Sequence, residues 1–146
     1  MSDVLVATED GVCTITFHRP QRKNALTVKM YEDATAALRT ARKDAAVHVV
    51  LFTGSGDAFT SGNDIADFVN TPPTGEDSPV FQFLLELTEC EKPVAVAVNG
   101  TAVGIGVTML LHADVVYVAD TLKLKMPFVP LGLCPEGASS FLLPRM

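Results

Sequence analysis

The sequence predicts an α/β fold in which strands are joined by helical crossovers. Three observations carry this. Short β-branched runs alternate with stretches of helical spacing along the chain, in the order β-β-α-β-loop-α-β-α-β-β-α. The run Val94-Ala95-Val96-Ala97-Val98 is short and Val-rich, as suits a strand buried in a parallel sheet. No linker, low-complexity segment or strong repeat interrupts the pattern, so residues 1–146 read as a single unit.

The elements follow in order. Val4-Leu5-Val6 and Val12 to Phe17 form paired strands, with Glu9-Asp10-Gly11 as the turn. His18 to Asn24 is a polar, proline-bearing loop. Thr27 suits the N-cap of a helix running to about Arg42, with an apolar stripe of Val28, Tyr31, Ala34, Leu38 and Ala41. His48 to Thr53 is a strand, and Gly54 to Asp57 turns the chain. Asp64 can open a helix. Asn70 to Ser78, with Pro72, Pro73 and Gly75, is an exposed loop. Pro79 to Cys90 has helical spacing through Phe81, Leu84, Leu85 and Leu87. The Val94 strand leads through a glycine loop into a short helix over Ile105 to His112. Strands are expected at Asp114 to Val118 and Leu122 to Met126, and Pro135-Glu136-Gly137 opens a last helix.

Composition excludes several classes. Hydrophobic residues make up 48% and charged residues 19% of 146, which is not the composition of a disordered tail. The net charge of −6, with no basic cluster, argues against a nucleic-acid partner. An anionic small molecule stays open, because backbone N–H groups bind anions without side-chain charge. Cys13, Cys90 and Cys134 form neither a disulfide framework nor a metal spacing, which fits a reducing compartment. Cys134 reads as a packing residue, since no cationic neighbour activates it. Residues Met1 to Asp10 lack the apolar core of a secretory signal. Pro93 to Leu111 carries no charge, but Asn99-Gly100-Thr101, Gly104 and Gly106 break it, so no membrane association is expected.

Conventional chemical motifs are missing. Gly54-Ser55-Gly56 fails the dinucleotide fingerprint at Phe59, and there is no phosphate-loop lysine and no G-x-S-x-G elbow. His18, His48 and His112 lack partners at ligand spacing, so no metal is expected. Three loops remain. Arg22-Lys23-Asn24-Ala25-Leu26 precedes a helix and also reads as a charged surface turn. Ala58 to Ile65 joins a strand to a helix, and its small residues Thr60-Ser61-Gly62-Asn63 allow close backbone approach to a ligand. Asn99 to Gly106 lies between a buried strand and a helix, where α/β proteins bind ligands and free N–H groups can hold an oxyanion.

In this order and spacing the three loops resemble the crotonase superfamily of enoyl-CoA hydratases and isomerases. The resemblance rests on Ile15 to Pro20 with Asn24-Ala25-Leu26, on Val49 to Gly54 with Phe59 to Ile65, and on Val96 to Gly106 with Ala113-Asp114-Val115. Ser61 to Asp64, Gly100 to Thr108 and Leu131 to Gly137 look most like the peroxisomal-type Δ3,Δ2-enoyl-CoA isomerases. The resemblance implies a ββα spiral core that lacks that family's C-terminal helical trimerisation part. It implies an acyl-CoA thioester substrate, with coenzyme A part of the substrate and no separate cofactor. It assigns the N–H groups of Asn63 and Ile105 to an oxyanion hole and Glu136 to the catalytic base. It assigns Lys23, Asn24, Ala25, Leu26, Ser61, Gly62, Asn63, Asp64, Ile65 and Gly104 to substrate binding. Ile105 stands where most of the family has glycine, and its side chain is expected to narrow the pocket.

Hydration needs two acid/base groups, and the resemblance aligns Thr108 and a position near Phe128 with them, where no carboxylate stands. A 1,3-proton shift needs one, and Glu136 is the sole acid after Asp120. Burial would raise its pKa towards working pH. Its alternative reading is a first-turn helix carboxylate. The Asn63 amide is expected to orient Glu136. Other open readings are a hydratase and a non-catalytic acyl-CoA-binding or assembly protein. The family's longer chains imply a trimer or hexamer, so apolar surface is expected where their later helices pack. The expected location is cytoplasmic, or peroxisomal in a eukaryote.

Overall fold

The computed structural model describes residues 2–146. Its elements are β1 (Val4–Glu9), β2 (Val12–Phe17), α1 (Val28–Lys43), β3 (Val49–Gly54), β4 (Ala58–Thr60), α2 (Ile65–Asn70), α3 (Pro79–Thr88), β5 (Val94–Val98), β6 (Thr101–Val103), α4 (Ile105–Thr108), β7 (Val115–Val118), β8 (Leu124–Lys125) and α5 (Ser139–Leu142). One sheet has the order β1-β2-β3-β5-β7, antiparallel at β1-β2 and parallel elsewhere. A second, parallel sheet has the order β4-β6-β8. From β3 onward each strand of the first sheet is followed by a short strand of the second and then by helix. This happens three times, so the chain winds as a ββα spiral.

The patterning explains the layers. Cys13, Ile15 and Phe17 of β2, Val50 and Phe52 of β3, and Val94, Val96 and Val98 of β5 are buried at alternate positions. α1 packs Met30, Tyr31, Ala34, Leu38 and Ala41 inward. A run of aromatic rings crosses the core from Tyr31 to Phe83, Phe52, Phe17 and Phe59, with centroids 5.6–6.0 Å apart. α1 is tied to α3 through Glu86, which accepts from Arg39 Nε at 2.7 Å and Arg42 Nη1 at 2.9 Å.

The structure corrects several boundaries. Residues 58–60 and 101–103 are strands, not loop, and β8 covers two residues where five were expected. Runs this short are too brief to show a period in sequence. The last helix begins at Ser139 rather than Pro135, because Gly137 (φ 59°) and Ala138 (φ 52°) are left-handed and end any helix before them. Glu136 therefore sits in a loop and is not a first-turn helix carboxylate.

Among the described residues no helix is long and apolar enough to cross a membrane. Apolar surface is uncovered at the C-terminal end of the spiral: all four residues of β7 are exposed, as are Val129, Leu131, Phe141 and Met146.

Candidate active site

The three loops meet at one end of the strands. The first, 19–26, is pinned by Asn24. This residue is fully buried (0% exposed) and left-handed at φ 54°. Its Oδ1 accepts from Arg19 N at 2.8 Å, and its Nδ2 donates to Ser55 O at 2.9 Å and Ala58 O at 2.8 Å. The Asn24 carbonyl accepts from Thr60 Oγ1 at 2.7 Å. Every polar group of Asn24 is engaged inside the protein, so it shapes the loop and presents nothing to a ligand. Leu26 is buried too, while the Lys23 side chain is exposed and pairs with Asp57.

The second loop zips onto the first. Ser61 N donates to Lys23 O at 2.9 Å, Leu26 N to Gly62 O at 2.8 Å, and Asp64 N to Leu26 O at 2.8 Å. This parallel bridge turns the N–H of Asn63 to the opposite side, where no group of the described residues accepts it. Asp64 caps α2 through Ala66 N and Asp67 N, and accepts from Arg19 Nη1 at 2.7 Å. That guanidinium contact, with the two N–H groups, holds the Asp64 carboxyl below its ordinary range. The side chain of Asp64 is thus committed to the scaffold. Ile65 lies on the outer side of α2 and is exposed.

The third loop brings α4 to the second. Gly62 is left-handed (φ 91°), and a Cβ there would lie 3.0 Å from Val103 O, so loops two and three touch backbone to backbone. Gly104 (φ 56°) then turns the chain into α4. Its carbonyl accepts from Val107 N and Thr108 N, while the Ile105 N–H at the helix start has no acceptor among the described residues. The Ile105 side chain is 3% exposed and belongs to the core. It packs among the core residues rather than standing free at the loop surface.

Glu136 faces α4. Thr108 Oγ1, fully buried, donates to Glu136 Oε1 at 2.6 Å, and Glu136 Oε2 is buried with no hydrogen-bond partner. Burial pushes the Glu136 carboxyl up from its ordinary value, and the Thr108 hydroxyl partly offsets that. The loop is fixed beside it: His112 Nε2 lies 2.8 Å from Gly137 O, and Ser139 Oγ donates to Glu136 O at 2.7 Å. Cys134 is exposed in the same loop, so it is not the packing residue expected from sequence.

Sequence reading missed two partners. The Tyr31 hydroxyl donates to Asn63 Oδ1. Its burial, and then the nearby Glu136 charge, hold the phenol well above its ordinary pKa, so it stays protonated. A tyrosine in a stripe of small and aliphatic residues was the available signal, because a buried phenol needs a partner. Asp67 Oδ2 accepts from Val28 N at 2.5 Å, so α2 caps α1. Tyr31, Asn63, Asp67, Leu26 and Phe68 line a shallow surface cleft with room for little more than a water molecule.

Two backbone N–H groups on adjoining loops, those of Asn63 and Ile105, without acceptors among the described residues, and a buried carboxylate in the loop before α5 are carried on a ββα spiral of the crotonase type. The chain matches the family model described as enoyl-CoA hydratase/isomerase over residues 7–146, and it belongs to that family. It is 41% identical to human enoyl-CoA delta isomerase 2, over 98% of this chain and 38% of that protein. It is 38% identical to an enoyl-CoA hydratase of Alternaria alternata, over 94% of this chain and 47% of that protein. The solved structure of Pseudomonas aeruginosa OdaA superposes with a TM-score of 0.96 at 53% identity, covering 100% of this chain and 59% of the other. The chain thus spans less than half the length of these two curated relatives.

Proposed function

We propose that this chain carries the catalytic core of an enoyl-CoA isomerase of fatty acid metabolism, which moves the double bond of a 3-enoyl-CoA to the 2-position. The observation that carries the reading is Glu136: a single desolvated carboxylate with one oxygen held by Thr108 and the other unengaged. The carboxylate takes a proton from C2. The electron pair moves onto the thioester oxygen as a dienolate. The N–H groups of Asn63 and Ile105 stabilise that oxyanion, a contribution of about 3–4 kcal/mol per donor in such sites. The protonated Glu136 then returns its proton to C4, so the C3–C4 double bond becomes C2–C3 and no atom is lost. The exposed Lys23 side chain and the backbone of residues 61–65 face the coenzyme A part. The Asn63 amide orients the carboxylate.

The similarity to an Alternaria hydratase favours a second reading, hydration of a 2-enoyl-CoA. That reaction needs two acid/base groups, and the family resemblance aligns Thr108 and a position near Phe128 with them, where no carboxylate stands.

The test follows the ultraviolet absorbance of the conjugated product from a 3-enoyl-CoA, with wild type and Glu136→Gln side by side and CoA binding checked in both. Activity lost in the variant with binding kept is the expected result. Equal activity in both would remove Glu136 from the mechanism. Wild-type hydration of a 2-enoyl-CoA without isomerisation would favour the second reading.

A further inference from the structure

α1 delivers one polar atom to the site. Tyr31 is 3% exposed, and its ring packs against Phe83 with centroids 5.6 Å apart, so the phenol has little freedom. Its hydroxyl donates to Asn63 Oδ1. The backbone on either side of Asn63 is already fixed, because Gly62 O and Asp64 N are both bonded to Leu26. What this leaves adjustable is the Asn63 side chain and the tilt of its N–H. A primary amide has one acceptor and two donors. With the acceptor taken by a phenol in the core, both donors of Nδ2 and the backbone N–H are left without a protein partner among the described residues.

We infer that Tyr31 is a positioning residue for the proton transfer: its hydroxyl locks Asn63 with Oδ1 inward, so that the Asn63 donors are held ready for the thioester and for Glu136. The phenol does not reach the reacting atoms through any contact of its own, and it acts through Asn63. The inference rests on the isomerase reading for its kinetic readout and on geometry alone for its spectroscopic one.

Tyr31→Phe deletes the hydroxyl and keeps the ring. In the assay above, kcat is expected to fall about ten- to hundredfold, as small misplacements of a catalytic group do, with KM changed less than about twofold. Tyr31→Phe combined with Asn63→Ala should be no slower than Asn63→Ala alone, because the two act as one unit. Wild-type kcat in Tyr31→Phe, with Glu136→Gln inactive, would overturn the inference and leave the isomerase reading standing. Where wild type shows no isomerase activity, that reading fails separately, and nuclear magnetic resonance decides the inference. Tyr31→Phe must then shift the Asn63 side-chain amide resonances and broaden its χ1 and χ2 distribution, the signature of a released side-chain contact. Unchanged resonances and side-chain order would overturn it.

Discussion

The Thr108 hydroxyl donates to Glu136 Oε1 at 2.6 Å and is the one hydrogen bond that the carboxylate group receives among the described residues. Two opposing effects therefore set the proton affinity of Glu136. Burial disfavours the charge and raises the pKa, while the hydroxyl favours the charge and lowers it. The same contact fixes the direction in which the second oxygen can take a proton.

Thr108→Val removes the lowering effect and nearly preserves shape. A base works only when ionised, so kcat/KM for the proposed isomerisation should rise with pH through the Glu136 pKa. That limb should lie above the ordinary glutamate range in wild type, and further up in Thr108→Val. Thr108→Ser, which keeps the hydroxyl, should restore the wild-type limb. A pH–rate profile of the three proteins checks this. Coincident profiles would show that the hydroxyl does not tune the base.

Glu136 also couples pH to stability. Its folded pKa is raised, so the folded state binds the proton more tightly than the unfolded one. This contribution to stability is complete below the unfolded pKa and is lost as pH rises through the folded pKa. Glu136→Gln removes the buried charge, so near neutral pH it should be more stable than wild type, by roughly 1 kcal/mol, with the difference shrinking in acid. Urea unfolding at two pH values measures it. A less stable variant at neutral pH would contradict the desolvation argument.

Asn24 joins three parts of the chain at one buried side chain. Asn24→Ala leaves Arg19 N and the Ser55 carbonyl without their side-chain partner, and the Ala58 carbonyl with only the 3.4 Å contact from Asn99 Nδ2. The expected loss is roughly 2–4 kcal/mol, read as a lower denaturant midpoint with an unchanged slope. Lys23→Ala, at an exposed pair, should change stability by less than about 0.5 kcal/mol.

The physical reasons these features were or were not legible differ from residue to residue. α1 and β5 were readable because eleven or more residues of helical stripe, or five of Val-Ala alternation, carry their own period. β4, β6 and β8 span two or three residues each and owe their pairing to the sheet rather than to local pattern. Pro135-Glu136 resembles a helix start, yet Gly137 and Ala138 are both left-handed, and a Cβ at Gly137 would lie 3.2 Å from Thr108 Cβ, in a distant part of the chain. The three loops of the site were readable from residue types and spacing. Their closure was not, because Asn24, Tyr31 and Thr108 each find partners more than 25 residues away.

The helix pair α1–α2 yields a smaller prediction. Asp67 supplies the carboxylate at the N-terminus of α1, whose own first turn holds no acid. Asp67→Ala should lower stability by about 1 kcal/mol, since it removes both a cap and a favourable charge at the helix dipole. Asp67→Asn, which keeps the acceptor, should recover about half of that. Thermal unfolding at low and high salt separates the two, because only the charge contribution is screened.

The uncovered end of the spiral carries the last prediction. β7 is the outer strand of its sheet and pairs with β5 alone. All four of its residues are exposed, with Tyr117 at 68%, and Val129, Leu131, Phe141 and Met146 are exposed as well. An apolar edge with free backbone groups favours self-association. Opposing it is the net charge of −6, which repels copies over roughly 10 Å at 0.1 M salt. The 146-residue chain should therefore associate increasingly with concentration, and salt should strengthen the association by screening the repulsion. Association held by ion pairs would weaken instead. Light scattering at several concentrations and salts distinguishes the two, and Val116→Lys with Tyr117→Lys should shift the distribution towards the 15.6 kDa monomer. A single 15.6 kDa species at every concentration and salt would show that this surface is not adhesive.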